Sequence, residues 1–238
     1  MGRRGTMAVQ ALTRRSLLAG AASGFAFPAR AQPVVSAALV LAADVSSSVN
    51  RERFELQRKG YADTFTDAQV IRAVQDTAHG CISVCYLEWA GGNSQRVLVP
   101  WTLVRSVEDG ERIAAVLRRA PRPFDGSTDL GAAIRFATRL FSELPFQTTQ
   151  RVIDVSGDGV ATVDDEQPDA ARDRAVALGI RINGLAIDNG YPLFPDEPTL
   201  TEYYEAHVRG GDRSFVIEAN DFETFGAALV AKVRREIA

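Results

Sequence analysis

Between Ala37 and Ile237, short apolar runs alternate with stretches in which apolar residues recur every three or four positions, and turn residues separate the two kinds. The runs of strand length are Ala37 to Ala43, Cys81 to Trp89, Arg96 to Pro100, Arg151 to Val155, Arg181 to Ile187 and Ser214 to Ile217. Strands covered on both faces read as near-continuous apolar segments of this kind. Helical spacing, seen first in Phe54, Leu56, Tyr61 and Phe65, predicts helices over Arg51 to Phe65, Ala68 to Ala78, Val107 to Arg118, Asp129 to Phe141, Asp165 to Leu178, Thr201 to His207 and Asp221 to Ile237. Gly91-Gly92-Asn93, between two neighbouring strands, reads as a hairpin turn. The alternation predicts an α/β fold: a doubly wound, mainly parallel central sheet with one antiparallel edge strand and helices on both faces. Ligands of such folds bind beyond the carboxyl ends of the strands, where the strand order reverses.

Residues 1–31 do not follow this rhythm. Leu17 to Phe27 is small, apolar and uncharged but too short to span a bilayer, and Ala29-Arg30-Ala31 supplies a small-x-small cleavage pattern. Arg14 and Arg15, directly before Ser-Leu-Leu, make the segment resemble a bacterial twin-arginine export signal. The expectation is a twin-arginine-type signal peptide over 1–31, a single domain over 32–238, and a periplasmic or secreted protein of a bacterium. Five arginines (Arg3, Arg4, Arg14, Arg15, Arg30) and no acid lie in that segment, so its removal takes the formal charge from −3 to −8. An acidic mature chain argues against nucleic acid and anionic membrane surfaces as partners, because both need a basic footprint. No later apolar run is long enough for a membrane span in the mature chain.

The first strand stops at Asp44 and runs into Ser46 and Ser48, in the pattern Asp-x-Ser-x-Ser. A carboxylate and two hydroxyls at positions i, i+2 and i+4 of a loop leaving a strand can turn toward one point. Oxygen donors suit Mg²⁺, Mn²⁺ or Ca²⁺ rather than zinc. An Asp and Ser cluster capping the next helix is the plain alternative. Two further oxygen groups stand where the fold would bring them near: Thr128, before the helix Asp129 to Phe141, and Asp158, just past the strand Arg151 to Val155. Each also has a plain reading, as a helix cap and as a turn. Cys81 and Cys85 sit on one face of a strand, roughly 13 Å apart at about 3.3 Å per residue, too far to bridge. They read as small core residues. His79 and His207 have no neighbour at zinc-ligand spacing.

In type and order, Asp44-x-Ser46-x-Ser48, Thr128 and Asp158 resemble the five-residue metal-ion-dependent adhesion site of von Willebrand factor A (vWA) domains. YLEWAG, VPWTLV, VSGDG and INGLAID further resemble an exported bacterial group of A-type domains of unassigned role. The resemblance implies a vWA fold over Ala37 to Ile237 and a divalent cation, Mg²⁺ first and Mn²⁺ or Ca²⁺ otherwise. It also implies that Ser46, Ser48 and Thr128 meet the metal through their hydroxyls, while Asp44 and Asp158 hold coordinated waters. The remaining position would take a carboxylate from a protein partner, which makes the chain a binding domain rather than an enzyme. Asp154, inside the strand before Asp158, is a carboxylate without a place in that pattern.

The alternative is a metal-dependent phosphatase or phosphotransferase of haloacid dehalogenase type, with Asp44 as nucleophile and Gly157-Asp158 and Asp164 as the late acidic motif. Against it, Ser46 stands where a second acid is needed, and Lys59 and Lys232, the two lysines of the chain, lie outside the required stretch. A serine hydrolase lacks a Gly-x-Ser-x-Gly elbow. Trp89 and Trp101 read as edge-strand packing, and the proline-rich loop Asp188 to Pro198 reads equally as a rigid surface loop or as part of a partner-binding rim near the proposed crevice.

Overall fold

A computed structural model describes residues 1–2, 32–163, 166–188 and 197–238. Positions 3–31 of the expected signal peptide, Asp164, the expected helix start at Asp165 and positions 189–196 of the proline-rich loop lie outside the described residues. Gln32–Ala238 fold as one unit around a sheet of β1 (Ala38–Asp44), β2 (Ile82–Trp89), β3 (Gln95–Val104), β4 (Arg151–Gly157), β5 (Ile180–Ile187) and β6 (Val216–Ala219). The spatial order is β3-β2-β1-β4-β5-β6. All neighbours pair in parallel except β2 with β3, which form the expected antiparallel hairpin at the edge. From β1 the chain winds to β2 on one side and later to β4 on the other, so the switch point lies between the carboxyl ends of β1 and β4.

Both faces are covered, as the unbroken apolar strands require. Leu39, Leu41 and Ala43 of β1 pack with residues of α1 (Arg51–Thr66), α2 (Ala68–Gln75), α3 (Val107–Arg119) and α7 (Phe225–Ile237). Ala38, Val40 and Ala42, on the opposite face, pack with α4 (Leu130–Leu140), α5 (Pro168–Ala177), Leu200 of the short α6 (Leu200–Tyr203) and the π-helical turn Tyr204–Val208. The alternation within one strand is the period-two pleat dividing its side chains between two cores. Several elements differ from the sequence reading in extent. β3 runs on to Val104, so VPWTLV continues the strand instead of leaving it at Pro100; the proline is tolerated because β3 is an edge. Thr201 to His207 divides into α6 and the π-helical turn. Trp101 is the edge packer, with its indole N–H on the Leu140 carbonyl at 2.9 Å, whereas Trp89 is fully buried one strand further in. Cys81 falls just outside β2, and both cysteines are free thiols. No helix among the described residues is long and apolar enough to cross a membrane.

Asp154 is fully buried, and its partner is Lys232 of α7. The ammonium lies 2.5 Å from Asp154 Oδ1 and 2.7 Å from Glu236 Oε1. The contact with Asp154 is a buried ion pair. Burial pushes the Asp154 carboxyl up to about 7 and Lys232 pulls it back. Removing one partner of a buried charge cluster leaves the others uncompensated. Lys232→Ala is therefore expected to cost about 3–5 kcal/mol of stability, read as a drop in the urea midpoint; an unchanged midpoint would show that α7 is held by its apolar contacts alone.

Candidate metal centre

The five sequence-predicted residues sit on three loops at the carboxyl ends of β1 and β4 and at the start of α4. Asp44 ends β1 and is fully buried. Its Oδ1 accepts the Ser46 N–H at 2.7 Å, which turns the loop back over the strand end. The hydroxyls of Ser46 and Ser48 lie 3.1 Å apart, and Ser48 Oγ donates to Asp158 Oδ1 at 2.5 Å. Four of the five are thus linked through one chain of polar contacts across the β1–β4 switch point. Thr128 is buried on the facing loop. Its N–H donates to Thr162 Oγ1 and its carbonyl accepts the Thr162 N–H, both at 2.9 Å, which joins it to the loop that carries Asp158. Ser47 and Gly126 exchange hydrogen bonds of 2.8 and 3.1 Å, joining the first loop to the segment before Thr128.

The plain reading of Thr128 as a helix cap gives way to a different arrangement. Asp129 caps α4, accepting the Ala132 N–H at 2.8 Å, and α1 is capped by Asn50. Neither Ser46, Ser48 nor Thr128 is used as an N-cap, so their hydroxyls are available to the crevice. The loop itself is held from beneath: Gln57 donates to the Asp44 carbonyl at 2.8 Å, and Arg122 Nη2 donates to the Val45 and Ser46 carbonyls at 2.7 and 3.0 Å.

Charge in the crevice is unbalanced. Asp44 Oδ2 is buried with no hydrogen-bond partner, as is the hydroxyl of Tyr204. Both border Gly157: a Cβ there would come within 2.9 Å of Asp44 Oδ2 and 2.6 Å of the Tyr204 oxygen, so only glycine leaves room. Burial pushes the Asp44 carboxyl up to about 7; the Ser46 N–H and hydroxyl oppose the shift, Asp158 adds to it, and Arg122 opposes it again. Tyr204 is pushed well above its ordinary value by burial and by Asp44 and Asp158. Among the described residues, Arg53 Nη1 supplies the one direct ion pair at the site, 3.2 Å from Asp158 Oδ2. The donor set fits a hard divalent cation: it is all oxygen, it includes a buried carboxylate oxygen lacking a partner, and two acids lie close enough to repel each other. Among the described residues no three His, Cys, Asp or Glu side chains converge, which leaves this hydroxyl-rich set without an all-acid or imidazole rival. Lys59 pairs with Asp63 at an exposed site and Lys232 is buried with Asp154, so neither lysine serves the site as a phosphatase would need.

Arg53, Arg122 and Tyr204 were not singled out by the sequence. Arg53 follows the Asn50 cap by less than one helical turn, which is a usable signal; Arg122 and Tyr204 reach the site only through the fold.

A family model described as "Protein of unknown function (DUF1194)" matches residues 34–238. The chain belongs to this family. No curated protein matches it in sequence. Solved structures similar to this DUF1194 chain include proximal thread matrix protein 1 of the mussel byssus, with a zinc-occupied metal-ion-dependent adhesion site, at 14% identity and TM-score 0.63 over 86% of this chain and 48% of that one. The pilus adhesin SpaC of Lactobacillus rhamnosus GG aligns at 15% identity and TM-score 0.62 over 87% of this chain and 31% of that one. A von Willebrand factor type A structure from Catenulispora acidiphila aligns at 16% identity and TM-score 0.57 over 85% and 43%. The DUF1194 chain therefore has the vWA fold, and it spans half or less of the length of these three proteins.

The buried Asp44 gives the metal-free protein a pH signature. A carboxyl raised from 3.8 to about 7 binds more protons folded than unfolded, so stability is greatest below its unfolded value and is lost as pH rises toward 7. Asp44→Asn removes that loss. In a chelator-containing buffer, the variant's stability relative to wild type is expected to rise between pH 5 and pH 8, by at most about 3 kcal/mol. Urea titrations at both pH values check it; a constant difference would contradict the burial argument.

Proposed function

We propose that this protein is an exported binding domain that holds a divalent cation at Asp44, Ser46, Ser48, Thr128 and Asp158 and engages an acidic group of a protein partner through it. The observation that carries the reading is the convergence of Asp44, Ser46, Ser48 and Asp158 at the switch point, with one buried Asp44 oxygen lacking a partner. Ser46, Ser48 and Thr128 would contribute hydroxyl oxygens, and Asp44 and Asp158 would hold coordinated waters and balance charge. Bound there, a cation supplies the positive charge that Asp44 lacks and an open position for a carboxylate. Mg²⁺ suits this mixture of neutral hydroxyls and water, with Mn²⁺ or Ca²⁺ as substitutes. Arg53, on Asp158 at the mouth, adds a second positive group facing an incoming anion. The vWA fold of a pilus adhesin and of a byssal matrix protein supports an adhesion or assembly role. Export through the twin-arginine route to the periplasm or beyond rests on residues 14–31.

Calorimetric titration with Mg²⁺, Mn²⁺ and Ca²⁺ tests the metal assignment. Saturable binding by wild type is expected, lost in Asp44→Ala and reduced at least tenfold in Thr128→Ala, with circular dichroism unchanged. Undiminished affinity in a folded Asp44→Ala protein would refute the site.

A further inference from the structure

Beside the Asp44 loop, α1 and the segment following α3 enclose an open cleft of about 680 Å³. Its lining carries Arg51, Arg58, Lys59, Arg118 and Arg122 against one acid, Glu55. In a chain with a formal charge of −3, five cations around one cavity reverse the prevailing sign. They are not equivalent. Arg58 is buried and engaged, with its guanidinium on Glu88 at 2.7 and 2.9 Å and on the Leu117 and Pro121 carbonyls at 3.1 and 3.2 Å. Lys59 and Arg118 share a single carboxylate, Asp63, at 2.6 and 3.1 Å, and Arg51 meets Glu55 at 3.0 Å. With Glu55, Glu88 and Asp63 counted, two of the five positive charges have no ion-pair partner of their own, although Arg122 also acts at longer range on Asp44.

Arg122 sets the character of the cleft. Its guanidinium donates to the carbonyls of Val45, Ser46 and Phe124, and no carboxylate lies within ion-pairing distance of it among the described residues. It lies 5.3 Å from the centre of the Phe54 ring, whose other guanidinium neighbour, Arg58, is at 4.5 Å. An aromatic floor between two guanidiniums fixes them without neutralising them. Because Arg122 also holds the Val45 and Ser46 carbonyls, the cleft and the Asp44 loop share one wall.

We infer that this cleft is a second anion subsite, for a short acidic protein segment that presents one carboxylate at the Asp44 loop and another against Arg122, Arg118 and Lys59. The first anchor rests on the metal reading above; the second stands on the cleft alone. A long polyanion would meet the acidic remainder of the surface and be repelled, whereas a short acidic segment meets only the local surplus of positive charge. Lys59 and Arg118 are the positions to change, because their side chains are 71% and 53% exposed and neither touches the Asp44 loop.

The probe is a fluorescein-labelled hexaglutamate peptide, with hexaglutamine as control, titrated at low salt with the whole protein in Mg²⁺ and in EDTA. Hexaglutamate alone is expected to bind. EDTA should weaken it, and Lys59→Glu/Arg118→Glu should weaken it about tenfold while Mg²⁺ affinity measured by calorimetry stays unchanged. No binding by wild type, or equal binding by wild type and double variant, overturns the subsite. Weakening by the double variant without any effect of EDTA keeps the subsite and counts against the metal reading instead.

Discussion

A carboxylate buried at the end of a central strand, with only one of its oxygens satisfied, is the constraint around which the rest of this site is arranged. Asp44 is removed from water by the two cores that cover β1, and Ser46 N–H meets one oxygen while the other has no partner. A buried anion in that condition is costly unless it is protonated or compensated by a cation. The groups nearest it are mostly oxygens, the Ser46 and Ser48 hydroxyls, Asp158 and the loop bearing Thr128, while Arg53 pairs with Asp158 and Arg122 acts on Asp44 without an ion-pair contact. Gly157 keeps the space between Asp44 and Tyr204 open where any side chain would close it.

The same sheet holds further buried acids, Glu88 and Asp154, and each of these has a cationic partner within the chain. Asp154, on β4, has its counter-charge built in: Lys232 of α7 stands between it and Glu236, and Asn183 donates to the same Glu236 oxygen, Oε1, at 2.8 Å. Tyr61 joins this face through Ser156 at 2.8 Å and packs edge-on against Tyr86 and Phe225. One acid is thus ion-paired with a lysine that it shares with Glu236 and that ties β4 to α7, while the other, at the strand end, has no ion-pair partner among the described residues. Their difference in role follows from position: Asp154 lies inside the strand beneath a helix, and Asp44 where the strand order reverses.

Most of this was legible in the sequence because it depended on local signals. Apolar runs bounded by turns gave the strands, and the Asp-x-Ser-x-Ser loop, Thr128 and Asp158 stood at strand ends and a helix start. What was not legible depended on distance along the chain. The helix cap next to Thr128 proved to be Asp129, a choice between adjacent residues that only the backbone decides. Lys232 meets Asp154 across 78 positions of sequence, and Arg122 reaches the Ser46 carbonyl across 76. The extension of β3 past Pro100 followed from its edge position, which periodicity alone does not reveal. Composition likewise gave the acidic net charge but not the cationic cleft, since clustering is a property of the folded surface.

Anomalous scattering from crystals of the protein equilibrated with Mn²⁺ tests the central claim most directly, because it locates the ion without reference to any partner. The expected result is one strong peak between the β1 and β4 ends, about 2.1–2.2 Å from the Ser46, Ser48 and Thr128 hydroxyl oxygens, given that Mg²⁺–oxygen distances are about 2.0–2.1 Å and Mn²⁺ is slightly larger. A crevice free of manganese at saturating concentration, or a peak only on surface acids elsewhere, would contradict it.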